Sequence, residues 1–130
     1  MTDPISDLLT RLRNASQAKH RYADIPHSKL KEGIVKLLKE QGYVAQYLIK
    51  EVDHKGTIRV FLKYDQDRDP VLQGVKRASK PSRRYYVASK KIPFILGGVG
   101  TVLVSTSQGL MDGKTARQKN LGGELIAYVW

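Results

Sequence analysis

A chain of 130 residues makes one domain, or two small halves that lean on each other. It has no cysteine, which excludes disulfides, thiolate zinc sites and cysteine nucleophiles. Its 23 Lys and Arg against 12 Asp and Glu give a net charge of +11, and the excess is one-sided: residues 76–130 hold 10 bases and 2 acids, whereas residues 1–75 hold 13 and 10. A basic half on a small protein is the electrostatic footprint of a polyanion, and nucleic acid is the first candidate.

In chain order, Asp3-Pro4 opens a helix, since aspartate suits the N-cap and proline the first helical position. Ile5, Leu8, Leu9 and Leu12 recur at helical spacing and form its apolar face, with Arg11, Arg13 and Asn14 off that stripe. Tyr22 to Ile25 reads as a short strand stopped by Pro26. Ser28 caps a second helix, striped by Leu30, Ile34, Leu37 and Leu38 and ended by Gly42. YVAQYLIKEV and TIRVFLKY then read as two strands around the Asp53-His54-Lys55-Gly56 turn.

The polar run Asp65 to Pro70 reads as a linker, after which the charge balance changes. Beyond it, strands are expected around Val71–Arg77, Arg84–Ala88, Gly100–Ser105 and Glu124–Trp130, with a short helix over Lys114–Lys119. The expected fold class is therefore α+β. An N-terminal α-β-α-β-β module over 1–66 and a mainly β module over 71–130 are joined by 65–70. Ile92 to Met111 is uncharged, but Pro93, several glycines and a Ser-Thr-Ser-Gln cluster make it strand and turn rather than a membrane helix. The charged opening MTDPISDLLTRLRN leaves no secretory apolar core, so a cytoplasmic location is expected.

Motifs for catalysis fail on geometry. Gly113-Lys114-Thr115 looks like the end of a phosphate loop, but the first glycine of that motif should stand at 108, which is Gln108. Asp65, Asp67 and Asp69 have calcium-loop spacing, but Pro70 replaces the required glycine and Lys76 the closing glutamate. The histidines 20, 27 and 54 lack paired ligand spacing, and none follows Ser105 or Ser107 to act as base. No metal, cofactor or small-molecule substrate is expected.

Three features fit an RNA partner. VKRASKPSRRYY, Val75 to Tyr86, interleaves Lys76, Arg77, Lys80, Arg83 and Arg84 with serines and tyrosines. Bases neutralise phosphates and rings stack on nucleobases, although the same run also suits a charged edge strand blunted against aggregation. Ser105-Thr106-Ser107 offers three small hydroxyls that can reach base edges or 2′-hydroxyls, or can simply cap a turn. Gly122-Gly123-Glu124 suits a tight turn into the last strand. A glutamate there is out of place beside RNA unless it accepts a hydrogen bond or orients a neighbour.

These residues together resemble a known family. GVGTVLVSTSQGLMDGKTARQKNLGGELIAYVW, Gly98 to Trp130, closely resembles the C-terminus of the eighth protein of the bacterial small ribosomal subunit. TDPISDLLTRLRNA resembles its opening helix and VKRASKPSRRYY its basic segment. The resemblance implies a structural, non-enzymatic ribosomal protein that binds the central domain of small-subunit ribosomal RNA and organises its assembly. It also implies neighbouring small-subunit proteins as partners and repression of its own operon's messenger RNA.

By the family pattern, Ser105, Thr106 and Ser107 form the discriminating loop. Tyr86, Gly122, Gly123 and Glu124 stand beside it, and Lys76, Arg77, Lys80 and Arg84 support it. Asp3, Pro4, Arg11, Arg13, Asn14 and Lys29 are implied as secondary RNA contacts. Two departures stand out: Met111-Asp112-Gly113 where the family has Met-Thr-Asp, and Ala127 where it often has cysteine. Asp112 is placed to cap the short helix instead, shifted by one residue. Competing classes are a free-standing nucleic-acid chaperone or repressor and a small nucleotide-binding enzyme built on Gly-Lys-Thr.

Overall fold

The computed structural model describes residues 3–95 and 99–130. Two compact units emerge: Ile5–Gln73, and Gly74–Trp130 together with the residues up to Pro4. The fold class is α+β, with an N-terminal α/β part and a mainly β C-terminal part that holds one short helix.

The first unit runs α1 (Pro4–Gln17), β1 (Tyr22–Pro26), α2 (Lys29–Glu40), β2 (Val44–Val52) and β3 (Lys55–Leu62). The strands form an antiparallel sheet in the order β1-β3-β2. Leu8, Leu9 and Leu12 of α1 and Ile34, Leu37 and Leu38 of α2 are buried, as their helical spacing predicts, whereas Leu30, expected in the same stripe, is exposed in the first turn of α2 and Val35 is buried instead. Ile25, Ile58 and Val60 supply the buried face of the sheet. Ser28 accepts a hydrogen bond from the Lys31 amide and caps α2, and Gly42 takes φ +86° just past its end.

The other face of this sheet carries the rows Tyr22–Phe61–Gln46 and Asp24–Arg59–Leu48. Arg59 makes a two-pronged pair with Asp24, both contacts 2.9 Å, and its guanidinium lies 4.0 Å from the Tyr22 ring centre. That hydrogen-bonded pairing holds the Asp24 carboxyl below its ordinary pKa of 3.8, in spite of partial desolvation. The 65–70 segment is a closed turn. The Asp65 carboxylate accepts from the Asp67 and Asp69 amides, and Tyr64 bridges to Pro70.

The second unit holds β4 (Val75–Arg77), β5 (Tyr86–Val87), a single 3₁₀ turn (Ser89–Lys91), β6 (Thr101–Thr106), β7 (Gly109–Asp112), α3 (Gly113–Gln118) and β8 (Gly123–Val129). The sheet order is β4-β8-β6-β7. β8 is its central organiser. Its Ala127–Val129 end takes β4 and its Gly123–Glu124 end takes β5, both on one edge, while β6 runs along the other. Ala78, Ile92, Val102, Val104, Met111, Ala116 and Leu125 form a buried cluster on one face, with Val87, Leu121 and Tyr128 packed against it.

β7 was not among the expected strands. Thr106 pairs with Gly109 across the two-residue turn Ser107-Gln108, and Gly109 takes φ +108° to make the reversal. β4 and β5 are shorter than expected: residues 71–74 lie outside β4, and 84–85 and 88 lie outside β5. Asp112 is the N-cap of α3. Its carboxylate accepts from the Thr115 amide at 3.0 Å and from the Thr115 hydroxyl at 2.6 Å. Gly113 is buried because the helix start sits against β6: a Cβ there would come within 2.9 Å of Ile92 and 3.2 Å of Val102. The Gly-Lys-Thr therefore serves a helix start packed on a sheet.

Candidate nucleic-acid interface

Strand register assembles the most informative residues. Glu124 of β8 pairs with Tyr86 on one edge and with Ser105 on the other. Directly opposed residues in a sheet project to the same face, so Tyr86, Glu124 and Ser105 form one row. The next rung is Val87–Gly123–Thr106. Gly123 has no side chain because a Cβ would run into the Ser105 carbonyl, and one on Gly122 would meet the Val87 carbonyl at 2.5 Å. The two glycines thus let β5, β8 and β6 close up behind the hydroxyl loop.

The hydroxyls divide by role. Thr106 Oγ1 accepts from the Gln108 amide at 3.1 Å and donates to the Gly109 carbonyl at 2.8 Å. Its proton is committed to holding the turn. Ser105 and Ser107 are exposed, and their hydroxyls make no hydrogen bond among the described residues. They remain available, as both donors and acceptors, to a partner.

Glu124 explains its own presence. Its side chain is only 12% exposed and accepts from Arg84 at 2.9 Å. That hydrogen bond raises the Arg84 pKa further. The carboxylate is neutralised and fixes an arginine that is half exposed beside the row. Tyr86 is 70% exposed, which leaves its ring open to stacking.

The basic residues do not all reach this row. Arg77 is largely buried, pairs with Asp3 at 3.0 Å and donates to the Ile126 carbonyl. Asp3 and Arg77 therefore neutralise one another. Lys76 and Lys80 are exposed and line a different feature, a groove of about 370 Å³ shared with Arg77, Ala78, Arg83, Tyr85, Leu125 and Tyr128. Tyr128 did not stand out in the sequence, whereas Tyr85 was one of the two tyrosines of the basic run. Strand register sets Tyr128 opposite Lys76, and Tyr85 lines the groove while its neighbour Tyr86 pairs with Glu124.

Of the residues implied as secondary contacts, Arg11, Arg13, Asn14 and Lys29 belong to the unit Ile5–Gln73. Arg11 pairs with Asp7 at 3.3 Å and donates to the Asp24 carbonyl, while Arg13 hydrogen-bonds Asn14. Pro4 starts α1 and Lys29, exposed, starts α2. Among the described residues, the one cluster with metal-ligand spacing is exposed Asp65, Asp67 and Asp69, where the Asp65 carboxylate already closes a turn. No helix among those residues is long and apolar enough to cross a membrane.

Comparison with known proteins gives the family. The profile of the family described as Ribosomal protein S8 matches residues 3–130. Small ribosomal subunit protein uS8 of Chlamydia felis is 56% identical over 129 residues, covering 99% of this chain and 97% of that protein. Its counterpart in Streptococcus thermophilus is 52% identical over 130 residues, covering 100% of this chain and 98% of the relative. With a family match from end to end and relatives this similar over nearly their whole length, the chain belongs to the ribosomal protein S8 family.

Proposed function

We propose that this chain is a primary binder of small-subunit ribosomal RNA that docks on the central domain and organises its folding during assembly. Membership of the family makes it a structural, non-enzymatic constituent of the small ribosomal subunit, where it associates with ribosomal RNA and ribosomal proteins. The observation that carries the finer reading is the row Tyr86–Glu124–Ser105 with Ser107 at the adjoining tip. Two uncommitted hydroxyls, an open aromatic ring and a fixed arginine meet on one small surface.

Such a surface suits RNA in particular. Hydroxyls read base edges and 2′-hydroxyls, an aromatic ring stacks on an unpaired base, and an arginine binds phosphate. Arg11, Arg13, Asn14 and Lys29, together with Asp3 and Pro4, would touch another part of the same RNA. A messenger RNA that presents the same folded site would be bound by the same row, and binding there would repress translation of the operon.

Chemical footprinting of the intact chain on small-subunit ribosomal RNA tests the assignment. Protection confined to a compact set of central-domain nucleotides is expected. Protection elsewhere, or none, contradicts it.

A further inference from the structure

We infer that the outer face of the first sheet is a platform for unpaired RNA, on which bases stack against Tyr22 and Phe61 while Arg21 holds a phosphate. None of these residues is among those assigned to RNA above, and the platform lies wholly within the unit Ile5–Gln73.

Two alternate rungs build it. Tyr22 pairs with Phe61 across β1 and β3, and Asp24 pairs with Arg59, so all four side chains project to one face. Ile25, Ile58 and Val60 take the opposite, buried face. Tyr22 is 40% exposed. Arg59 backs its ring from 4.0 Å and is itself fixed by two 2.9 Å contacts to Asp24. A ring held from behind loses little freedom when a ligand settles on it.

The ring geometry selects an unpaired strand. The centres of Tyr22 and Phe61 lie 6.1 Å apart and their planes are inclined at 60°. That spacing exceeds the step of about 3.4 Å along a stacked strand, and the tilt offers no flat floor to a duplex. Each ring takes its own base, splayed from the next, which a single strand permits and a helix does not.

Charge favours the same partner. Asp24 is the only acid in the rows Tyr22–Phe61–Gln46, Asp24–Arg59–Leu48 and Pro26–Thr57–Lys50, and Arg59 neutralises it. Arg21 is exposed, lies 6.0 Å from the Phe61 ring centre and makes no ion pair among the described residues. A cation beside an aromatic ring suits the phosphate that follows a stacked base. A protein partner is less well served. Leu48, 41% exposed, is the single large aliphatic in these rows, which is little for an interface of about 800 Å² per partner.

Photocrosslinking of the full-length chain with a short, unstructured oligouridylate that carries iodouridine tests the site. The iodinated base couples to an aromatic ring on which it stacks, and adducts are mapped on the tryptic peptides 22–29 and 60–63. Adducts on Tyr22 or Phe61 are expected. By fluorescence anisotropy, Tyr22→Leu should bind the oligomer at least about fivefold more weakly, the worth of one stacked base, while Tyr22→Phe keeps the affinity. Arg21→Ala, at an exposed position, should lower the salt slope by about 0.7, the share of one single-strand phosphate.

Circular dichroism checks folding, and should Tyr22→Leu fail to fold, the adduct map and Arg21→Ala decide. Adducts confined to other peptides, such as the one that holds Tyr86, overturn the inference. So does a folded Tyr22→Leu chain that binds the oligomer as wild type does, or an unchanged salt slope for Arg21→Ala. Each of these results leaves the central-domain reading standing, because that reading is tested by footprints on folded RNA.

Discussion

Thr106 and Ser107 stand side by side, yet their hydroxyls do different work. Thr106 Oγ1 spends its proton on Gly109 and takes one from Gln108, whereas Ser107 faces solvent uncommitted. Thr106→Ala should therefore lower unfolding free energy by about 1 kcal/mol in urea denaturation, the net worth of one to two exposed hydrogen bonds. Ser107→Ala should leave stability unchanged, and Thr106→Ser should restore it. Equal stability of the two alanine variants would mean that the turn does not depend on Thr106. The sequence showed three hydroxyls and left both readings open, a turn cap and an RNA contact. The structure assigns the turn to Thr106 and leaves the neighbours free. Glu124 was similarly equivocal, because its partner Arg84 lies 40 positions away and only strand pairing brings them together.

At the scale of elements, the helices were the most legible. Their apolar stripes and the Ser28 cap are local features, and the stripe residues are buried in the structure apart from Leu30, in the first turn of α2, which is exposed. β7 was not legible, because GLMD offers no long alternation and depends on a glycine turn and on pairing with β6. The lengths of β4 and β5 were also hidden, being set by how much of β8 each one shares.

The first sheet gives a pH prediction. Asp24 is paired with Arg59 and its carboxyl is held below the ordinary value. A carboxylate with a depressed pKa contributes stability above its unfolded pKa and loses that contribution as pH falls through the folded value. Asp24→Asn should therefore be less stable than wild type in urea at pH 7. The difference should narrow as pH drops below 3.8 and vanish once Asp24 is protonated in the folded chain. A difference independent of pH would show that the pair stabilises by packing of Arg59 on Tyr22 rather than by charge.

Across the whole molecule, the one-sided charge of the sequence pointed to a polyanion but not to where it binds. The basic run Val75 to Tyr86 looked like a single patch. The structure distributes it: Arg84 and Tyr86 go to the hydroxyl row, Lys76, Lys80 and Arg83 to the groove, and Arg77 inward to Asp3. That distribution depends on a register shift in β8 and on alternation through a bent segment, neither of which a linear reading supplies. The central claim is that selectivity for small-subunit ribosomal RNA resides in the row and its hairpin tip. Binding of wild type and Ser107→Ala to the central-domain transcript and to random duplex, at matched salt, tests it most directly. The account predicts that the preference for the transcript drops roughly tenfold, about the worth of one hydrogen bond, while random-duplex affinity stays the same. An unchanged preference would contradict it.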